Sequence, residues 1–143
     1  MSDSSHPTRQ GRCLCGAVRY RAEGPVRPLV ACHCGQCRRA TGNYVVATAA
    51  RRADLIIEGE ANLTWFTSSP GVRRGFCRHC GANLFWDRAA LDQVSIMAGS
   101  LDQPTGLAVA AHIFVADKAD YTRIEAGPPT YEQGDSAVQI EAG

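Results

Sequence analysis

Residues 32 to 37 read Cys32-His33-Cys34-Gly35-Gln36-Cys37. A pair of thiols lies on either side, Cys13 with Cys15 and Cys77 with Cys80, and these clusters account for all seven cysteines. Zinc takes thiolates tetrahedrally, with Zn–S of about 2.3 Å, and tight turns bring such ligands together. Cys77-x-x-Cys80-Gly81 has the form of a knuckle. Two residues reverse the chain, Gly81 accepts positive φ without a Cβ clash, and backbone N–H groups can face the sulfurs. Cys13-x-Cys15-Gly16 repeats the logic with tighter spacing. The two pairs fill four positions and close a structural zinc site. The triple supplies three ligands and leaves one position open, which is the catalytic pattern. The alternative for the triple is a site closed by a remote residue, with His33, His79 and His112 as candidates, but His33 and His79, inside the loops, read as solvent-facing spacers and His112 as a satisfied strand histidine. A redox dithiol at Cys34-Gly35-Gln36-Cys37 calls for a long helix in a βαβ context, which the pattern lacks.

The charge of the triple narrows its partner. Three thiolates on a divalent ion leave one net negative charge, which dampens Lewis acidity toward water. A soft ligand suits the open position better, so an incoming thiol is the natural occupant. Bound there, it becomes a thiolate near neutral pH, the activation that C–S bond formation needs. Arg38 and Arg39 follow the triple directly and are the candidates for balancing its charge or meeting a substrate carboxylate. The three-thiolate site is expected to hold its zinc more weakly than the four-thiolate one.

The 143 residues suit one domain, with residues 1–10 as a flexible segment, 11–134 as the folded unit and 135–143 as a tail. The net charge of +1 gives no reason to expect a nucleic-acid partner. The doublets Arg38-Arg39, Arg51-Arg52 and Arg73-Arg74 read as solvated surface. The first residues lack an apolar secretory core, and no stretch approaches the roughly 18 apolar residues of a membrane span. A cytoplasmic setting is expected, where clustered thiols serve metals more than disulfides. The odd cysteine count points the same way.

Val18, Tyr20 and Ala22 alternate with Arg19, Arg21 and Glu23, as in a half-buried strand. Leu29–Ala31 is a short apolar run leading into the triple, and Arg38–Thr41 a helical turn closed by Gly42. Tyr44–Thr48, Leu55–Ile57 and Leu63–Thr67 read as strands, followed by a turn at 68–71. Gly75 to Trp86 reads as a hairpin around the second pair of thiols. Val94–Met97 and His112–Val115 are later strands, and Asp117–Tyr121 a helical turn. Trp65, Phe66, Phe85 and Trp86 are core candidates. Asp102, Tyr121 and Tyr131 are polar candidates without a stronger signal. No segment sustains a period of 3.6, so the chain is read as mainly β.

The chain resembles the glutathione-dependent formaldehyde-activating family, which includes proteins similar to centromere protein V. The resemblance runs from about Gly11 to Gly134. It is carried by Gly-Arg-Cys13-Leu-Cys15-Gly-Ala-Val-Arg-Tyr, by Cys32-His-Cys34-Gly-Gln-Cys37-Arg-Arg-Ala-Thr-Gly, by Gly-Phe-Cys77-Arg-His-Cys80-Gly, by Gly99-Ser-Leu-Asp102 and by His112-Ile-Phe-Val-Ala-Asp-Lys-Ala. It implies a β-rich zinc fold of two packed antiparallel sheets of short strands. It also implies a structural zinc on Cys13, Cys15, Cys77 and Cys80 and a catalytic zinc on Cys32, Cys34 and Cys37. The implied activity joins glutathione and formaldehyde to S-hydroxymethylglutathione, a carbon–sulfur lyase reaction. After Lys118-Ala119 the family often has Pro-Trp, where this chain has Asp120-Tyr121, a departure that bears on substrate identity. Two other readings compete: a zinc module that binds glutathione or a thiol adduct without turnover, and a zinc-stabilised interaction domain.

Overall fold

The computed structural model describes residues 6–134 and Ile140. Its smaller sheet holds β1 (Arg9–Arg12), β2 (Arg19–Ala22) and β5 (Leu55–Glu58), antiparallel with β2 in the middle. The larger sheet holds β3 (Leu29–Cys32), β4 (Val45–Arg51), β6 (Leu63–Ser69), β7 (Val72–Cys77), β8 (Asn83–Arg88), β9 (Gln93–Met97) and β10 (Val109–Ile113). Its order is β10-β3-β4-β9-β8-β7-β6. A single α-helix among the described residues, α1 (Gly35–Thr41), follows β3. No helix among the described residues is long and apolar enough to cross a membrane.

The alternation read in β2 is real. Tyr20 and Ala22 are buried, Arg19 is exposed and Arg21 half-exposed. The buried face meets the larger sheet, where the Tyr20 ring stands edge-on to Phe85 with centroids 5.3 Å apart. Val18, Leu84, Val94 and Ile96 complete this core, with Leu55 and Ile57 packed against it. Burying each such side chain contributes roughly 1.5–3 kcal/mol. The Tyr20 hydroxyl lies 2.6 Å from Ser100 Oγ. Gly11 sits under it, and a Cβ there would run into the Tyr20 hydroxyl and the Ser100 carbonyl. β4 lies inside the large sheet, and small residues such as Ala49 and Ala50 let it be buried closely.

Several expectations need correction. β1 begins at Arg9, inside the segment read as flexible, because Arg9 pairs with Ala22 and its Nε donates to the Thr105 carbonyl at 3.1 Å. Residues 1–5 of that segment lie outside the described residues, as does the 135–143 tail apart from Ile140. β10 runs parallel to β3. The chain reaches that edge by a long passage from β9, along which Leu101 bridges to Gly11 and the Asp102 N–H donates to the Gln10 carbonyl. The strand expected over 112–115 ends at Ile113, since Phe114 takes φ +55° and leaves the extended region. The helical turn falls at Val115–Asp117, ahead of its expected place. Phe66 is not core: it lies on the edge strand β6 and is 61% exposed.

Asp87 on β8 is buried and takes Arg52 Nη2 at 2.8 Å and Arg73 Nε at 3.0 Å on its two oxygens. Burial works to raise its carboxyl, but the two arginines win and hold it below the usual carboxylate range. A depressed folded value means stability that is complete above the unfolded value of about 4 and is lost as pH falls through the folded one. Asp87→Asn should cost about 1–2 kcal/mol at neutral pH, after discounting for the partly exposed arginines. The melting difference between the two proteins should be flat above about pH 5 and shrink below about pH 4. A difference that grew on acidification would contradict this.

Candidate metal centres

Cys13 and Cys15 follow β1, Cys77 ends β7 and Cys80 follows it, so this centre joins the two sheets. The four sulfurs lie within 4.8 Å of one another. Cys13–Cys15 and Cys15–Cys77 are each 3.7 Å apart. A tetrahedron with Zn–S of about 2.3 Å has an edge of about 3.8 Å, so the spacing fits a four-thiolate zinc. Local backbone prepares it. Gly16 and Gly81 take φ +84° and +76°, and the Gly81 N–H donates to the Cys77 carbonyl at 2.8 Å. The Val18 N–H donates to Cys13 Sγ at 3.3 Å and the His79 N–H to Cys77 Sγ at 3.4 Å. The N–H groups of Ala82 and Cys15 bring the Cys80 thiol down to about 6, within reach of its ionised form near neutral pH.

The second centre forms where β3 turns into α1. Cys32 ends the strand, Cys34 caps the helix and Cys37 lies in its first turn. Their sulfurs also lie within 4.8 Å of one another. The Cys37 N–H donates to Cys34 Sγ at 3.3 Å, and the helix closes at Gly42 with φ +89°. The helix therefore starts earlier than the turn expected at Arg38. Shared hydrogen bonds with Cys32 and Cys37 bring the Cys34 thiol down to about 2, while those with Cys34 and Cys37 push the Cys32 thiol up. One thiolate and two thiols is the arrangement such crowding favours, and a cation would let all three ionise. Val45, Ala47 and Met97 form an apolar floor with Cys37, and Trp86 packs against it.

None of the three histidines joins this group. His33 is fully buried, against the expectation of a solvent-facing spacer. Its ring stacks on Tyr44 and its Nε2 lies 3.0 Å from His112 Nδ1. Burial, then for His33 the nearby His112 and Lys118, lowers both imidazoles, which suits a neutral donor–acceptor pair. His79 is exposed and bonds Asn62 Oδ1 at 2.8 Å.

The arginine that touches a sulfur is Arg74, which sequence reading had placed on the surface. Arg74 is buried on β7, and its Nη2 donates to Gln36 Oε1 at 2.8 Å and to Cys37 Sγ at 3.6 Å. A signal was present: neighbours in a strand face opposite sides, so an Arg-Arg doublet in a covered sheet sends one inward. Arg38 is half-buried and Arg39 exposed on α1. A cavity of about 380 Å³ is lined by Cys13 of the four-thiol group and by Met97, which belongs to the apolar cluster around Cys37. Arg12, Asn83, Ser100 and Asp102 line its polar part. Tyr121 is 63% exposed, and Tyr131 makes backbone bonds to His112 and Val115.

Two packed sheets joined by a four-thiol group, with a separate three-thiol group where β3 turns into α1, define a class of β-rich protein with two thiol clusters that could hold metal ions. Residues 8–117 match the glutathione-dependent formaldehyde-activating enzyme family, and the chain belongs to that family. A Halomonas elongata protein provisionally named a glutathione-dependent formaldehyde-activating enzyme is 27% identical over 130 residues, covering 81% of this chain and 80% of its own. An uncharacterized lyase of Schizosaccharomyces pombe is 31% identical over 80 residues, 56% of this chain and 58% of that one. A crystal structure of a Rhodobacter sphaeroides protein superposes with a TM-score of 0.58 at 27% identity, covering 68% of this chain and 91% of that one.

Proposed function

We propose that the chain is a zinc-dependent, cytoplasmic carbon–sulfur lyase that joins glutathione, or a similar small thiol, to formaldehyde and gives S-hydroxymethylglutathione. The observation that carries the reading is the asymmetry of the two centres: four converging sulfurs in one and three in the other. Cys13, Cys15, Cys77 and Cys80 would hold a structural zinc, and Cys32, Cys34 and Cys37 a second one. A zinc ion on the second centre supplies a position at which a thiol becomes a thiolate near neutral pH.

The chain's own residues do the rest. The floor of Val45 and Met97, with Trp86 beside it, keeps water from one side of the sulfurs. The cavity that Met97 helps to line offers the Arg12 cation and the Asp102 anion, complementary to a ligand with carboxylates and an ammonium group. Arg38 and Arg39, on the helix that carries Cys37, are further candidates for a substrate carboxylate. In the addition, a sulfur lone pair forms the C–S bond, the carbonyl π electrons pass to oxygen, and that oxygen takes a proton from water. The lyase direction reverses these steps.

A zinc count with glutathione titration on wild type and Cys37→Ser tests the reading. Two zinc ions per wild-type chain, one per mutant chain, and adduct formation above the spontaneous rate in wild type alone are expected. Adduct formation at the spontaneous rate in both proteins would sink the enzyme, and retained glutathione binding would then leave a carrier.

A further inference from the structure

Arg74 is 5% exposed, and its guanidinium is anchored only in part. Nη2 has Gln36 and Cys37, whereas Nε and Nη1 are buried with no partner. Ser68 Oγ is the other such side-chain atom among the described residues. It belongs to the same patch, since the Gln36 amide donates to the Ser68 carbonyl at 3.3 Å. Phe66 and Trp86 flank Arg74 in register on the neighbouring strands. The contrast with Arg73 is informative: Arg73 lies over the Trp65 ring at 3.8 Å and pairs with Asp87. Among the described residues, no ion pair reaches Arg74.

A guanidinium does not shed its proton in a protein. Burying it with no anion costs several kcal/mol. The group in contact that can carry negative charge is the Cys37 sulfur. Three thiolates on a divalent ion sum to one negative charge, which Arg74 cancels. A neutral fourth ligand leaves that balance alone. An anionic one, such as a thiolate, would bring the centre to two negative charges without Arg74 and to one with it.

We propose that Arg74, clamped by Gln36 against Cys37, is the charge-compensating residue of the three-thiol centre and makes it select anionic over neutral fourth ligands. The proposal rests on the reading of Cys32, Cys34 and Cys37 as a metal centre. Arg74 acts through the sulfur and is a positioning residue. It also differs in place from Arg38 and Arg39, which lie on the helix and remain available to substrate.

Cobalt(II)-loaded protein tests this, read by metal stoichiometry and the visible spectrum during titration with azide and, separately, imidazole. Arg74→Met keeps the length of the stem and gives up few polar bonds, so the fold should tolerate it. In wild type two cobalt ions bind. Arg74→Met should weaken azide binding about tenfold or more and leave imidazole binding within about twofold, since a neutral ligand gains nothing from the charge. Arg74→Lys should recover part of the azide affinity. Gln36→Met changes an exposed side chain, keeps the protein folded and should weaken azide in the same direction, so it carries the test if Arg74→Met does not fold. A purely structural role would move both ligands together. Equal loss of azide and imidazole, indifference of both, or a lysine variant as weak as methionine overturns the proposal while leaving the metal centre standing. One cobalt per wild-type chain instead overturns the metal centre and the proposal with it.

Discussion

Cys77→Ala should yield a chain that does not accumulate as a folded protein. Cys77 is fully buried at the end of β7, where its sulfur accepts the His79 N–H and its carbonyl the Gly81 N–H. It is one of four sulfurs that tie the turn after β1 to the turn after β7, and so the small sheet to the large one. Structural zinc contributes on the order of 10 kcal/mol, comparable with the roughly 5–15 kcal/mol of net stability of a whole domain. Alanine removes one of the four sulfurs and leaves a void in the core cluster that Cys77 shares with Cys13, Leu84 and Phe85. Soluble yield, far-UV circular dichroism and thermal melting would measure the loss, and prolonged chelation of wild type should reproduce it. A cooperative melt at the wild-type temperature would show that the four-thiol centre does not hold the fold.

What the sequence disclosed followed from how local each signal was. Both thiol turns were readable because spacing and the following glycine are features of a few residues, and Gly16 and Gly81 do take positive φ. The β2 alternation was readable because Tyr20 and Ala22 face a core while Arg19 faces water. Arg74 was misread because its burial depends on α1 covering that face of β7, a contact between segments 37 residues apart. Phe66 was misread for the converse reason: its strand is the sheet's edge, which its composition does not reveal. His33 reads as a spacer in the sequence because its partner, His112, is 79 residues away and arrives on a parallel strand. The grouping of the sulfurs, four and three, needed no tertiary information, which is why both clusters were legible before the residues around them.

Cys34→Ser should separate activity from stability. Cys34 caps α1 through the Cys37 N–H, and serine is among the preferred residues at that position, so the hydroxyl can take over the cap. The residue is half-buried and packs against the small apolar floor, away from the main core. Its loss should change stability by about 1 kcal/mol or less. The chemical loss is much larger. Cys34 is the sulfur that the neighbouring Cys32 and Cys37 thiols, and after them the N–H groups of the helix turn, hold most firmly as a thiolate. A serine hydroxyl stays neutral and is a poor ligand for a soft site, so two sulfurs remain. Affinity for the second zinc should fall by about a hundredfold or more, beyond what loss of an outer-shell contact causes. Adduct formation from glutathione and formaldehyde should return to the spontaneous rate, with one zinc per chain and a near-native melt. A mutant that kept the wild-type rate would remove Cys34 from the reaction, and one that failed to fold would mean that the second centre, like the first, is structural.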